Sequence, residues 1–372
     1  MKRKVGLTAI SLMLALTGCM GGGGKIDPRL TAEGKSFILK GTTGLTQVSQ
    51  ITGVESPNKT ERYGVYGTDL GSMMSDGDRT YFVFGDTFGE RPEEQIGAGG
   101  HDWRSNTMAY STDSDPTDGI TLDGMILDDF HTAKELLPSA KIDYEEMTTI
   151  PTHGLAANGN LYLYYMSVKH WGDPGRWDAN FAGLAKSSDK GQNWTVLDNV
   201  KWPGDSNFIQ VSPYKVTDED GSTDVYFWCI PAGRFDGVQL MKVSEEKIES
   251  LADYRYYAGD DDEGKPIWSA DLTKAKTIVD DAVGELSVVW NAYLQRWIMT
   301  YLGSTGVVIR EGLSPWGPWG DAHDLITFEQ YPGLYGPFMN DKFTADGGKT
   351  IYFTLSLWGP YNVFWFKATL QK

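Results

Sequence analysis

Cysteine is nearly absent. Cys19 and Cys229 are the only two in 372 residues, so no disulfide framework is expected to hold this chain. The five histidines (His101, His131, His153, His170, His323) are scattered and share no metal-ligand spacing. Basic residues are outnumbered, 33 against 50 acidic, for a formal net charge of −17. Such a surface repels phosphate backbones and argues against a nucleic-acid partner. No apolar run reaches the roughly 20 residues that a bilayer span needs. G-x-S-x-G, H-E-x-x-H, a phosphate-binding Gly-Lys loop and a dinucleotide fingerprint are all missing. No cofactor and no metal is therefore expected, and Asp260-Asp261-Asp262-Glu263 reads as a solvated acidic loop first and a weak calcium site second.

Glycine and aromatic residues are plentiful: 44 Gly, 13 Trp, 19 Tyr and 15 Phe. With 40% hydrophobic and 22% charged residues the composition is globular. Many glycines and many rings favour a turn-rich β protein with stacking surfaces over a helical bundle.

Lys2, Arg3 and Lys4 precede an apolar run from Val5 to Leu16, the order of a secretory signal. Leu16-Thr17-Gly18-Cys19 resembles a bacterial lipobox, which implies a signal peptide over 1–18 and a lipid on Cys19; ordinary cleavage leaving a free Cys19 is the alternative. Gly21 to Gly24 read as a flexible tether, and the segment 19–46 as a linker ahead of a domain spanning 47–372. Met20 follows the cysteine, which in a Gram-negative host does not resemble an inner-membrane retention signal. The expected location is extracytoplasmic, on an outer membrane or cell surface, as a monomer. Cys229, inside Tyr226-Phe227-Trp228-Cys229-Ile230, is expected to be buried and inert.

One pattern recurs along the chain: an alternating aromatic strand, a gap and a second apolar strand. The pairs are 81–84 with 108–111, 161–165 with 182–185, 225–228 with 238–241, 296–301 with 307–310, and 351–355 with 363–366. Their first members start 55 to 80 residues apart, which is too wide for blades of about 40–45 residues. Five strand pairs with variable loops predict an all-β, five-bladed β-propeller. Ser187-Ser188-Asp189-Lys190-Gly191-Gln192-Asn193-Trp194 matches the Asp-box of sialidase-like propellers, with Asp189 bonding loop amides, Gly191 supplying φ > 0 and Trp194 plugging between strands. Glu245 to Leu251 reads as a short helix between blades.

The sharpest chemical signal is Gly67-Thr68-Asp69-Leu70-Gly71 followed by Gly85-Asp86-Thr87-Phe88. A hairpin centred between Gly77 and Asp78 sets Asp69 directly opposite Asp86. Opposed carboxylates on one face are destabilising. They are useful where one pKa must rise and the other stay low, as acid/base work on a sugar bond requires. Loop capping or a structural cation is the alternative, and a one-residue slip would put the pair on opposite faces.

These motifs resemble the opening of a bacterial family catalogued as domain of unknown function 4185, some of whose members are identified as endo-D-arabinanases, glycoside hydrolase family 183. The resemblance continues through 104–107, 150–154, 284–291, 296–297, 334–337 and 355–363, and so covers roughly 64–370. It implies a five-bladed propeller that cuts α-linked D-arabinofuranosyl chains internally, with Asp69 and Asp86 as acid and base. Inversion is suggested by the resemblance and retention by the cross-strand closeness, so both stay open. Arg104, Asn106, His153, Gln210, Glu285, Tyr335, Trp358, Tyr361 and Asn362 are candidate substrate contacts. For Arg104 an Arg–Asp structural pair is equally open, for Glu285 a blade-closing bond, for His153 a structural role and for the rings core packing. Two other functions compete: a non-catalytic glycan-binding lipoprotein, and a sialidase-like exo-glycosidase. The latter needs several arginines converging on a substrate carboxylate, and the acidic chain has no clear arginine cluster.

Overall fold

The computed structural model describes residues 27–372. The signal segment, Cys19 and the Gly21–Gly24 tether lie outside the described residues.

Every expected strand pair forms, and each is the second and third strand of an antiparallel sheet. The five sheets are the five blades of a β-propeller. Blade 1 holds Leu70–Asp76, Arg79–Phe84, Thr107–Ser111 and Gly124–Met125; blade 2 holds Thr148–Ala157, Asn160–Trp171, Trp177–Ser187 and Thr195–Pro203. Blade 3 holds Gln210–Thr217, Thr223–Ile230 and Asp236–Ser244. Its third strand then pairs with both Thr277–Val283 and the annex Arg255–Asp260, Pro266–Ser269. Blade 4 runs Leu286–Asn291, Arg296–Leu302, Gly306–Gly312 and His323–Thr327. Blade 5 takes Leu334–Ala345, Thr350–Leu357 and Asn362–Gln371 from the C-terminal part and Gly41–Gln50 from the N-terminal part. The first strand of each blade touches its counterparts on both sides, closing the ring 1-2-3-4-5-1.

The middle strands are apolar on both faces because each is sandwiched between neighbouring blades; Tyr162, Trp228, Trp297 and Trp365 are buried there. Small hydroxyl residues stitch the blades through backbone groups. Ser212 Oγ accepts from Val288 N, Ser287 Oγ from Met339 N and Ser356 Oγ from Leu70 N, at 2.9, 2.9 and 2.8 Å. These bonds satisfy amides that no strand partner reaches.

Three expectations need correction. The linker was expected to run to residue 46, but the outer strand of blade 5 begins at Gly41 and pairs Gly41 with Gln371. The sheet captures it because blade 5 would otherwise expose the edge of its third strand. The Glu245–Leu251 segment forms two 3-10 turns, Glu245–Lys247 and Leu251–Asp253, inside blade 3 and not between blades. The blade 1 hairpin keeps the expected register from Asp76↔Arg79 to Ser72↔Val83, then shifts so that Leu70 faces Phe84. Leu70 (φ 66°) and Gly71 (φ 84°) both adopt the left-handed region there. This bulge sets Asp69 against Gly85, whose N–H donates to Asp69 O at 3.2 Å, and not against Asp86.

The Asp-box turn joins the third and fourth strands of blade 2. Asp189 accepts from Asn193 N at 2.9 Å, Gly191 has φ 91°, and Trp194 Nε1 donates to Gly191 O at 2.9 Å. Cys229 is buried and unpaired.

Candidate active site

All five innermost strands start at the same end of the propeller, and a cavity of ≈ 720 Å³ opens there. Residues at these starts converge on it: Asp69 from blade 1, Ile150–Thr152 from blade 2, Gln210 from blade 3, Glu285 from blade 4 and Tyr335 from blade 5. Loops joining second to third strands add the rest of the wall: Ala98, the Trp171–Trp177 hairpin, Arg234, and Trp358 with Tyr361. Trp171, Phe328 and Trp358 stand on its rim with 38%, 39% and 49% exposure, apolar rings open to a passing ligand.

Asp69 and Asp86 both line the cavity. Asp69 keeps some surface open to it, but its Oδ1 is covered and has no hydrogen-bond partner. The Tyr335 hydroxyl donates to Oδ2 at 2.9 Å, and Tyr361 approaches the same carboxylate without closing a bond to Oδ1. Burial and then the neighbouring Asp86 push Asp69 up to about 7, against the opposing pull of the Tyr335 bond. Asp86 is more firmly held: Thr148 Oγ1 and Trp103 Nε1 both donate to its Oδ1, at 2.6 and 2.8 Å. Burial raises it too, but these two bonds and the Lys141 charge hold it to about 6. The environments of the two carboxyls differ in one direction: more donors on Asp86, an orphan oxygen on Asp69. Ionised oxygens want donors, so Asp86 is the group that stays charged.

Glu285 faces the Arg234 guanidinium, which donates from Nε at 3.1 Å to each carboxylate oxygen and from Nη2 at 2.6 Å. The Arg234 guanidinium carbon also stands over the Tyr335 ring, 5.3 Å from its centre. The deepest cation of the cavity is thus already neutralised. Gln210 uses Nε2 to tie the 231–233 loop through Pro231 O and Gly233 O, at 2.9 and 3.0 Å.

Four candidate contacts lie away from the cavity wall. Arg104 donates to Asp102 O, Ala133 O and Gly64 O, so its guanidinium holds loops together and bonds backbone carbonyls, not an aspartate carboxylate. Asn106 is fully satisfied by Leu137 O, Thr149 O, Leu136 N and Leu137 N. Asn362 bonds Thr52, Tyr66 O and Pro360 O. His153 is buried, holds Gly154 O through Nδ1 at 2.8 Å and packs edge-on to Phe338; burial lowers its pKa to about 4. Such side chains are abundant in motifs because buried loop backbone needs partners. Sequence reading missed Arg234, Trp103, Thr148 and the 171–177 hairpin. Arg234 had one usable signal, its place just after the strand end at Ile230, where the other blades also send loops to the cavity.

Among the described residues no group of three or more His, Cys, Asp or Glu is placed to hold a metal ion. The acidic loop at 260–263 is a turn in which Asp261 accepts from Glu263 N and Lys265 N.

Gly85 packs against Asp69 so closely that a Cβ would overlap Oδ1. Gly85→Ala is expected to displace that carboxyl, so that a reaction that uses Asp69 would slow about 100-fold. The fold should lose no more than the ~1–3 kcal/mol typical of overpacking, read by steady-state rates beside thermal melting.

The chain is similar in fold to several solved structures. A proposed hydrolase from Bacteroides ovatus shares 14% identity over 83% of this chain and 87% of that one, with a TM-score of 0.54. The xylan β-1,4-xylosidase of Bacillus halodurans shares 15% over 83% of this chain, with a TM-score of 0.44; the chain spans only 53% of that longer protein. The Bacillus subtilis arabinanase shares 14% over 82% and 96% of the two chains, with a TM-score of 0.42. At 14% identity the first of these likenesses speaks to the fold alone, and nothing is drawn from the other two. No curated protein sequence matches the chain. A family profile does, over residues 55–367, and the chain therefore belongs to the family described as domain of unknown function DUF4185.

Proposed function

We propose that the protein is a glycoside hydrolase that cuts inside α-D-arabinofuranosyl chains of D-arabinan, with Asp69 as general acid and Asp86 as general base. The observation that carries this reading is the unequal pair of buried aspartates in one cavity. Asp69, with an uncommitted oxygen and a pKa pushed up to about 7, is suited to hold a proton for the leaving oxygen. Asp86, fixed by Trp103 and Thr148, is suited to remain ionised. In the step envisaged, Asp69 gives its proton to the glycosidic oxygen as the C1–O bond breaks. Water adds to C1 and loses a proton to Asp86. Solvent then returns both groups to their starting states.

A neutral glycan is favoured over an anionic one, because Asp69, Asp86, Asp173 and Glu285 outnumber Arg176 and Arg234 on the cavity wall and Glu285 already occupies Arg234. That counts against the sialidase-like reading. The choice of D-arabinan rests on the family resemblance of the two Asp motifs and the 355–363 run. The glycan-binding alternative would need an aromatic-lined cavity but no raised carboxyl with an uncommitted oxygen.

The test is digestion of mycobacterial D-arabinan beside plant L-arabinan, with products separated by chromatography and the new anomeric centre read by NMR. Short oligosaccharides from the D-polymer with inverted configuration are expected. Retained configuration would make Asp86 a nucleophile, and no cleavage with persistent binding would leave a glycan-binding protein. The rate should also be bell-shaped in pH. Below about 6 Asp86 takes a proton, above about 7 Asp69 loses one, and kcat/KM peaks between.

A further inference from the structure

The propeller has two unlike faces. The cavity occupies the one where innermost strands begin. The segment 27–40 crosses the one where they end. Arg29 Nη2 donates at 3.0 Å to the carbonyl of Thr217, last residue of the blade 3 innermost strand. Trp297 Nε1 donates to Arg29 O at 2.8 Å, and Lys35 Nζ reaches Leu313 O at 2.7 Å while lying 5.2 Å from the Trp290 ring centre. Arg296 Nη2 holds Ser36 O at 2.8 Å, and Glu311 Oε1 accepts from Leu39 N at 2.7 Å. Thr217 and Trp290 lie where first strands end, Arg296 and Trp297 where a second begins, and Glu311 and Leu313 where a third ends. Antiparallel order puts all of these positions on the side remote from the cavity.

We infer that this docked arm is a mounting that turns the cavity away from the surface to which the chain is attached, and that this surface is a lipid bilayer. The inference rests on reading Cys19 as lipidated. Eight residue steps separate Cys19 from Asp27. Fully extended they reach less than about 30 Å, at ~3.3–3.6 Å per residue. The strand Gln210–Thr217, which spans the propeller from cavity to arm face, is itself roughly 25 Å long. Bringing the cavity rim to the bilayer would therefore require the tether to run back along the whole height of the propeller at near-full stretch. Resting the arm face there requires no stretch. Asp218, Glu219 and Asp220 are exposed on the arm face beside exposed Lys40, Lys215 and Lys372, so charges of both signs mix there and the tether sets the orientation. A polysaccharide beyond the membrane then meets an open cavity.

The test couples the chain from Cys19 onward, which retains every described residue, through its Cys19 thiol to vesicles containing maleimide lipid. Cys229 is buried and stays unlabelled. A fluorophore is clicked onto an azido residue placed at Asp220, on the arm face, or at Asp173, on the cavity rim. Headgroup-nitroxide lipid is expected to quench position 220 at least threefold more than position 173. Equal quenching, or stronger quenching at 173, overturns the orientation. Moving the anchor to another residue of the rim, with Cys19→Ser and Ala98→Cys, leaves both probe positions free and should reverse the order; an unchanged order would mean that the arm does not control it. Fatty-acid labelling in cells tests the lipid separately, comparing the native chain with Cys19→Ser. No label on Cys19 overturns the bilayer as the surface, whatever the quenching shows.

Discussion

Asp69→Asn should lower turnover by about 10²–10⁴-fold and, above pH 7, make the protein harder to melt. The two effects have one cause. Burial and Asp86 lift Asp69 to about 7 in the folded chain, whereas the unfolded chain titrates it near the ordinary value of about 4. Between these values the folded state binds the extra proton, so stability falls as pH rises through the window. Above it the fold carries an ionised carboxylate that it would rather hold neutral. Asparagine removes that charge. The variant's Tm should exceed the wild type's by several degrees at pH 8 and fall level with or below it at pH 4. Asp86→Asn should lose as much activity with a smaller gain in Tm, because Trp103 and Thr148 already stabilise the charge it removes. Equal melting curves for Asp69→Asn and wild type at pH 8 would mean that Asp69 is an ordinary, well-solvated carboxylate.

Arg234→Met should be the most damaging substitution for the cavity itself. It leaves Glu285 beside Asp69 with no counter-charge. Breaking a fully buried pair costs about 3–5 kcal/mol. Here the Arg234 side chain keeps 29% exposure, so water moderates the loss to about 2–3 kcal/mol. The Glu285 charge already raises Asp69, and freed of Arg234 it should raise it further. The alkaline limb of the pH–rate profile should therefore move up. Arg234→Met combined with Glu285→Gln should recover most of the stability and return the limb. A double-mutant cycle in urea measures the coupling, and additive losses would show that the pair is not coupled.

The fold was legible where the physics is local and two-sided. Strands such as 225–230 and 296–302 lie between blades, so they are buried throughout and rich in large apolar side chains, and they announce themselves. The two-residue outer strand Gly124–Met125 and the annex of blade 3 carry no such signature, and neither was expected. The strand 41–50 is half exposed and polar, and only its partner 362–371 gives it structure. The Asp69–Asp86 pair was visible from glycine-flanked motifs, but its register was not. Alternation with period two cannot encode a residue such as Leu70 held at positive φ, because the neighbouring blade 5 chain imposes that bulge through Ser356 and Thr354. Arg104, Asn106 and Asn362 look like ligand contacts for the same reason that they are good struts: they carry several donors and acceptors. Trp103, Thr148 and Arg234 act across loops or blades, where only three-dimensional closure brings them to a carboxylate.

The proposed chemistry requires one cavity to hold a neutral Asp69 beside an ionised Asp86 near neutral pH. Carbon-detected NMR titration of the aspartate side-chain carboxyls tests it most directly, with Asp69→Asn and Asp86→Asn supplying the assignments. Two carboxyls titrating near pH 7 and near pH 6, the higher one vanishing in Asp69→Asn, are the predicted result. Both titrating below pH 5, or the higher value belonging to Asp86, would contradict it.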